Sequence, residues 1–130
     1  KAAEALEPGD HGSTYGGNPF AAAAVNIVFE LFESEKVLEN VSRVSGYLVR
    51  AFDSLVEKYD CIKERRGLGL MQGLKFDRPV GKIIQTAMAK GLITFSAGSD
   101  IIRFVPPLII KEQHIDEMLN ILGESIRENI

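Results

Sequence analysis

Residues 61–77, CIKERRGLGLMQGLKFD, break the period of the chain before them and decide its class. Read as CIKERRGLG followed by LMQGLKFD, they are two short, alternating, glycine-broken runs. Alternation with period two marks strands, and the glycines at 67–69 allow the reversal that a hairpin needs. Working outward, residues 92–97 (LITFSA) and 100–107 (DIIRFVPP) read as a second hairpin, turned by Gly98-Ser99-Asp100. Between the hairpins, Pro79 opens a short helix with Val80, Ile83, Ile84 and Ala87 inward, ending at Lys90-Gly91. Beyond them, Glu112 starts a last helix striped with Ile115, Met118, Leu119, Leu122 and Ile126.

Upstream, apolar spacing predicts two longer helices. Residues 35–59 place Val37, Val41, Val44, Leu48, Phe52, Leu55 and Tyr59 on one face, with Ser42, Gly46, Arg50 and Asp53 opposite and Ser34 as cap. Residues 19–33 are apolar on nearly every side, from Phe20 and Ala21–Ala24 to Leu31 and Phe32. Such a helix is expected to be buried all round, against a second domain or partner as well as its own core. Asn18-Pro19 reads as its N-cap and first residue. Residues 1–7 read as helix, stopped by Pro8-Gly9. The expected order is α-α-β-β-α-β-β-α: an α+β class, with a small antiparallel sheet packed with helices and preceded by a long connecting helix pair.

Composition narrows the function. The 130 residues suit one domain, with roughly two thirds of the unfolded surface buried. A 45% hydrophobic and 25% charged content excludes wholesale disorder. Fifteen basic against eighteen acidic residues, with no long basic run, speak against phosphate-backbone binding, so no nucleic acid is expected. No apolar run reaches the roughly 18 residues of a membrane span. One cysteine permits neither an intrachain disulfide nor a zinc cage, and the expected compartment is the cytoplasm. No metal is expected. The chain begins with Lys rather than Met, as a fragment would.

Three places could carry chemistry. Residues 9–17, GDHGSTYGG, hold four of the twelve glycines beside Ser13, Thr14 and His11, just before a helix N-terminus. Those are the parts of an anion site, although no Gly-Lys-Ser/Thr follows to make a P-loop. The alternative is a turn whose hydroxyls cap the helix, with His11 in a structural hydrogen bond. In DIIRFVPPL, Ile101, Arg103 and Val105 share one strand face and Ile102 and Phe104 the other, so Arg103 is expected to be partly buried and in need of an anion. Its alternatives are an internal carboxylate or snorkelling at a sheet edge. Arg65 and Arg66 read as edge or interface residues, Cys61 as a buried inert thiol, and His114 as solvated. Hydrolase motifs are absent.

With GDHGSTYGGNP (9–19), RRGLGLMQGL (65–74) and DIIRFVPPLII (100–110) in this order and spacing, the chain resembles the class III aminotransferases. These are fold-type I enzymes that use pyridoxal 5'-phosphate. Within them it is most similar to the acetylornithine branch, with the ornithine and 4-aminobutyrate branches as near relatives. The resemblance implies the last third of such an enzyme: residues 1–18 as the end of the cofactor-binding large domain, and 19–130 as connecting helices and small C-terminal domain. It implies a homodimer in which loop 12–17 reaches the partner's cofactor, Thr14 binding the phosphate and Ser13 lying at the substrate. Arg103 would bind the α-carboxylate of the amino acid or of 2-oxoglutarate. The lysine that forms the Schiff base, and the aspartate on the pyridinium nitrogen, would lie upstream; Lys1 lacks the family's lysine context. By the same resemblance the chain alone would be inactive. A non-catalytic α+β ligand-binding domain is the reading from a different class.

Overall fold

In helix α2, Val37–Lys58, the residues Val44, Leu48 and Phe52 recur at four-residue spacing, and each is essentially without solvent exposure. This stripe is one wall of the core. The computed structural model describes residues 7, 9, 10 and 12–130, so the helix expected over 1–7, Lys1 and His11 lie outside the described residues. The chain divides into two compact units, 1–36 and 37–130.

The second unit holds the sheet. Strands β1, Ile62–Leu68, and β2, Met71–Phe76, form the first hairpin; β3, Phe95–Ser96, and β4, Ile101–Phe104, form the second. All pairings are antiparallel, and β2 joins β4, giving the spatial order β1-β2-β4-β3. Strand β3 is only two residues long, shorter than the run 92–97 implied. Helices α3, Gly81–Ala89, and α4, Glu112–Arg127, supply the rest of the core through Ile83, Ala87, Ile115, Leu122 and Ile126. Leu74, Phe76, Ile102 and Phe104 face these side chains from the sheet, and all are buried. Burial of this apolar set, at about 25 cal/mol per Å² removed from water, is what holds the layer together.

The first hairpin needs a glycine near the end of β1 for a steric reason. Gly67 has φ +141°, and a Cβ there would collide with the Met71 carbonyl oxygen and stand 2.8 Å from the Gln72 Cα. Gly67→Ala is therefore expected to destabilise the second unit by about 1–3 kcal/mol. Gly81→Ala, at the start of α3 with nothing within 4 Å of its Cβ position, should cost nothing. Chemical denaturation of both variants checks the contrast, and equal midpoints would refute it.

The first unit contains α1, Pro19–Ser34, capped by the Asn18 side chain, which accepts from the Ala21 amide at 3.0 Å. Two expectations are corrected here, those for Ser34 and Arg103. Ser34 ends α1 instead of capping the next helix, and the link to α2 passes through Lys36 at φ +49°. None of the α1 residues is buried, and Phe20 and Phe29 are 85% and 67% exposed. An all-round apolar sequence asks for a covering surface, but hydrophobicity says nothing about whether the same chain provides it. Arg103, finally, is exposed.

Candidate functional site

Arg103 stands on β4 between two buried neighbours, Ile102 and Phe104, and points the opposite way. The sheet has one face on the helices and one face open, so strand alternation sends Arg103 out while its neighbours go in. The expected second apolar face is thin: Ile101 is half-buried and Val105 exposed. Both faces of β4 are apolar in composition, but only one is covered within this chain. Its pairings put Arg103 opposite Gly73 on one side and Phe95 on the other, and Gly73 in turn opposite Arg66. Paired residues share a face, so Arg66, Gly73, Arg103 and Phe95 form one row across the open face.

Gly73 leaves a gap between the two arginines. A Cβ there would sit 3.3 Å from Ile101 Cγ2, so even alanine would crowd the slot. Arg66, Leu68, Met71, Gly73, Ile101 and Arg103 line a shallow open depression of about 400 Å³. The two guanidiniums differ in commitment. Arg66 donates to Glu64 Oε2 at 2.7 Å, which raises its pKa and lowers that of Glu64. The Arg103 side chain forms no hydrogen bond or ion pair among the described residues. Arg65, one residue earlier, faces the helices and binds Asp53 of α2 at 2.6 Å and Gln72 at 3.2 Å. The adjacent arginines thus separate into a strut and a surface group, as strand alternation requires.

Loop 12–17 is the other place, in the first unit. Ser13 and Thr14 are exposed, and neither hydroxyl makes a hydrogen bond among the described residues. Asn18 does the capping of α1 that the hydroxyls were an alternative for, and its side-chain amide also donates to the Tyr15 carbonyl at 2.6 Å. Two uncommitted hydroxyls just ahead of a helix N-terminus, with Gly17 at φ +69°, are donors suited to a phosphate. That donor set fits pyridoxal phosphate at its phosphate end.

The remaining singled-out residues are structural. Cys61 is buried, and burial pushes its thiol pKa up, away from reactivity. His114 is exposed, yet it does more than meet solvent: its Nδ1 accepts from the Lys111 amide at 2.9 Å, capping α4. Gln72 was not singled out in the sequence. It is 2% exposed and satisfied by the Gly69 carbonyl and Arg65, and only pairing with Phe104 across the sheet reveals that it faces inward. Among the described residues no group of three or more His, Cys, Asp or Glu could hold a metal ion. No helix among them is long and apolar enough to cross a membrane.

The family model described as aminotransferase class-III matches residues 1–126. The chain belongs to that family. The acetylornithine aminotransferase of Methanocaldococcus jannaschii is 40% identical over 130 residues, covering 97% of this chain and 32% of that protein. That of Gloeobacter violaceus is 44% identical over 119 residues, covering 90% and 30%. Among solved structures, the acetylornithine aminotransferase from Elizabethkingia anophelis superposes with a TM-score of 0.83 at 28% identity, over 97% of this chain and 33% of that one. The ornithine δ-aminotransferase of Plasmodium falciparum gives 0.81 at 32% identity, over 96% and 34%. The chain spans about a third of the length of the class III relatives it matches. Its α+β fold, a small antiparallel sheet with four described helices, is the one these aminotransferase structures share over that third.

Proposed function

We propose that this chain is the C-terminal part of a pyridoxal-phosphate-dependent acetylornithine:2-oxoglutarate aminotransferase of arginine biosynthesis. The amino group of N-acetylornithine passes to 2-oxoglutarate, leaving an aldehyde and glutamate. Arg103 carries the reading: an exposed guanidinium with no partner among the described residues, on the open face of a rigid sheet, is a ready carboxylate receptor. Both substrates carry an α-carboxylate, so one arginine serves both half-reactions by positioning them. Thr14 holds the phosphate of the cofactor through its uncommitted hydroxyl, and Ser13 lies beside the substrate. Pyridoxal phosphate, where bound, supplies the electron sink for proton removal at the amine-bearing carbon. The lysine and aspartate of the covalent and electronic chemistry belong to the two thirds of the family's length that these residues do not span, and the chain is inactive without them.

The protein acts as a homodimer in the cytoplasm, with loop 12–17 serving the cofactor of the partner. The exposed apolar side chains of α1 support a partner surface beside that loop. Residues 1–18 then complete the large domain, and 19–130 form the connecting helices and small domain. Mixed dimers test this arrangement. Thr14→Val and Arg103→Ala should each leave a tenth or less of the aminotransferase activity of the complete enzyme. Co-assembled, they should restore about a quarter, because half of the random dimers then hold one intact site. No recovery would place both residues in one subunit's site and overturn the exchange. A second reading, transfer from ornithine, is favoured by the likeness to the Plasmodium ornithine enzyme; comparing kcat/KM for ornithine and N-acetylornithine decides between them.

A further inference from the structure

The ion pairs of the second unit occupy Arg43, Lys63, Arg65, Arg66, Arg78 and Lys90. Arg50, Lys58 and Arg127 are in none of them, and all three line one groove between α2 and α4. On α2, Arg50, Ser54 and Lys58 follow at four-residue intervals, a row about 12 Å long at 1.5 Å per residue. Arg127 faces them from the last turn of α4. Its Nη1 donates to the Tyr59 hydroxyl at 3.1 Å, and that hydroxyl reaches the Gly123 carbonyl at 3.5 Å. The guanidinium is thereby held at the wall of the groove.

Small residues open the space and apolar ones floor it. Ala51 and Ser54 on α2 face Gly123 on α4, where a Cβ would stand 3.4 Å from the Tyr59 hydroxyl and 3.5 Å from Arg127 Nη1. Leu55 and Leu119 lie below. The volume is about 660 Å³, the size of a small-molecule site. Glu124 lines the groove with these cations and opposes Arg127 in part. Glu124 is bound by Lys90 at 2.9 Å, and Asp116 accepts the Tyr47 hydroxyl at 2.6 Å. The chain as a whole carries a charge of −3, so three cations against one lining carboxylate run against its overall sign. Their mutual repulsion is relieved by an anion spanning the row.

We propose that the α2–α4 groove binds a small polyanion, a compact molecule carrying two or more phosphate groups, through Arg50, Lys58 and Arg127. The site lies wholly in the second unit and does not depend on the function proposed above. Inorganic pyrophosphate is the probe, titrated calorimetrically into the full chain at low salt. The chain has no Trp and three Tyr, of which Tyr47 and Tyr59 line the groove. In a Tyr15→Phe background, tyrosine fluorescence therefore reports the groove directly. Saturable binding should shift that fluorescence, weaken tenfold or more in Arg50→Gln, and vanish in Arg50→Gln/Arg127→Gln. The side chain of Arg50 makes no hydrogen bond among the described residues, so Arg50→Gln stays informative even if Arg127→Gln perturbs folding. Lys82→Gln should bind as the parent does. Absence of saturable binding, or equal weakening by Lys82→Gln, would overturn the proposal. So would a hexaglutamate peptide that binds more tightly than pyrophosphate, which would make the groove a protein-docking surface.

Discussion

Arg103→Ala is expected to raise KM for 2-oxoglutarate and for glutamate by roughly tenfold to 150-fold in the complete enzyme, with unchanged thermal stability. A hydrogen bond to a charged group contributes about 1.5–3 kcal/mol, and each 1.4 kcal/mol is a factor of ten. The thermal part follows from geometry. Arg103 is exposed and makes no bond within the chain that its removal would break. Arg103→Lys separates charge from shape, because an ammonium keeps the attraction and loses the planar two-pronged donor; it should recover only part of the loss. Steady-state kinetics for both substrates read the effect. A KM unchanged in Arg103→Ala would remove the carboxylate role from this residue.

Phe52→Ala is expected to lower the stability of the second unit by about 3–5 kcal/mol, with the edge of the aromatic pair adding to the loss. Phe52 has 0% exposure, and its ring lies 4.8 Å from that of Phe104, tilted by 53°. It is the point where α2 meets β4, so truncation opens a cavity between helix and sheet that the surrounding Leu48, Leu74 and Ile102 cannot fill. With domain stabilities commonly about 5–15 kcal/mol, this single change removes a large share. Phe52→Leu keeps most of the volume and should cost less than half as much. Urea denaturation followed by circular dichroism measures both. A loss below about 1 kcal/mol in Phe52→Ala would mean that the helix and sheet do not share one core.

Much of the fold is legible because its signals are local. The four-residue recurrence from Val44 to Phe52, the alternation in β2 and β4, and Asn18-Pro19 at the start of α1 act within a few residues. The motif around Ser13 and Thr14 and the one around Arg103 are legible for the same reason. The exposure of Arg103 is not legible, because a strand's composition shows that a face is apolar without showing whether anything covers it. The short β3 and the capping role of His114 are not legible either, because both depend on hydrogen bonds whose geometry single residues do not declare.

The sequence by itself determined the order of helices and strands, the two hairpins, the core stripe of α2 and the class III motifs, since period and turn chemistry reside in adjacent residues. Tertiary structure alone decided that β2 pairs with β4 and that Arg66, Gly73 and Arg103 stand in one row on an uncovered face. It also decided that Asn18 leaves the Ser13 and Thr14 hydroxyls uncommitted, and that Arg50 and Lys58 meet Arg127 from 77 and 69 residues away in the chain. The reason is the same in each case. Pairing, coverage and charge balance are properties of neighbours in space, and those neighbours are set only when the apolar stripes close on one another.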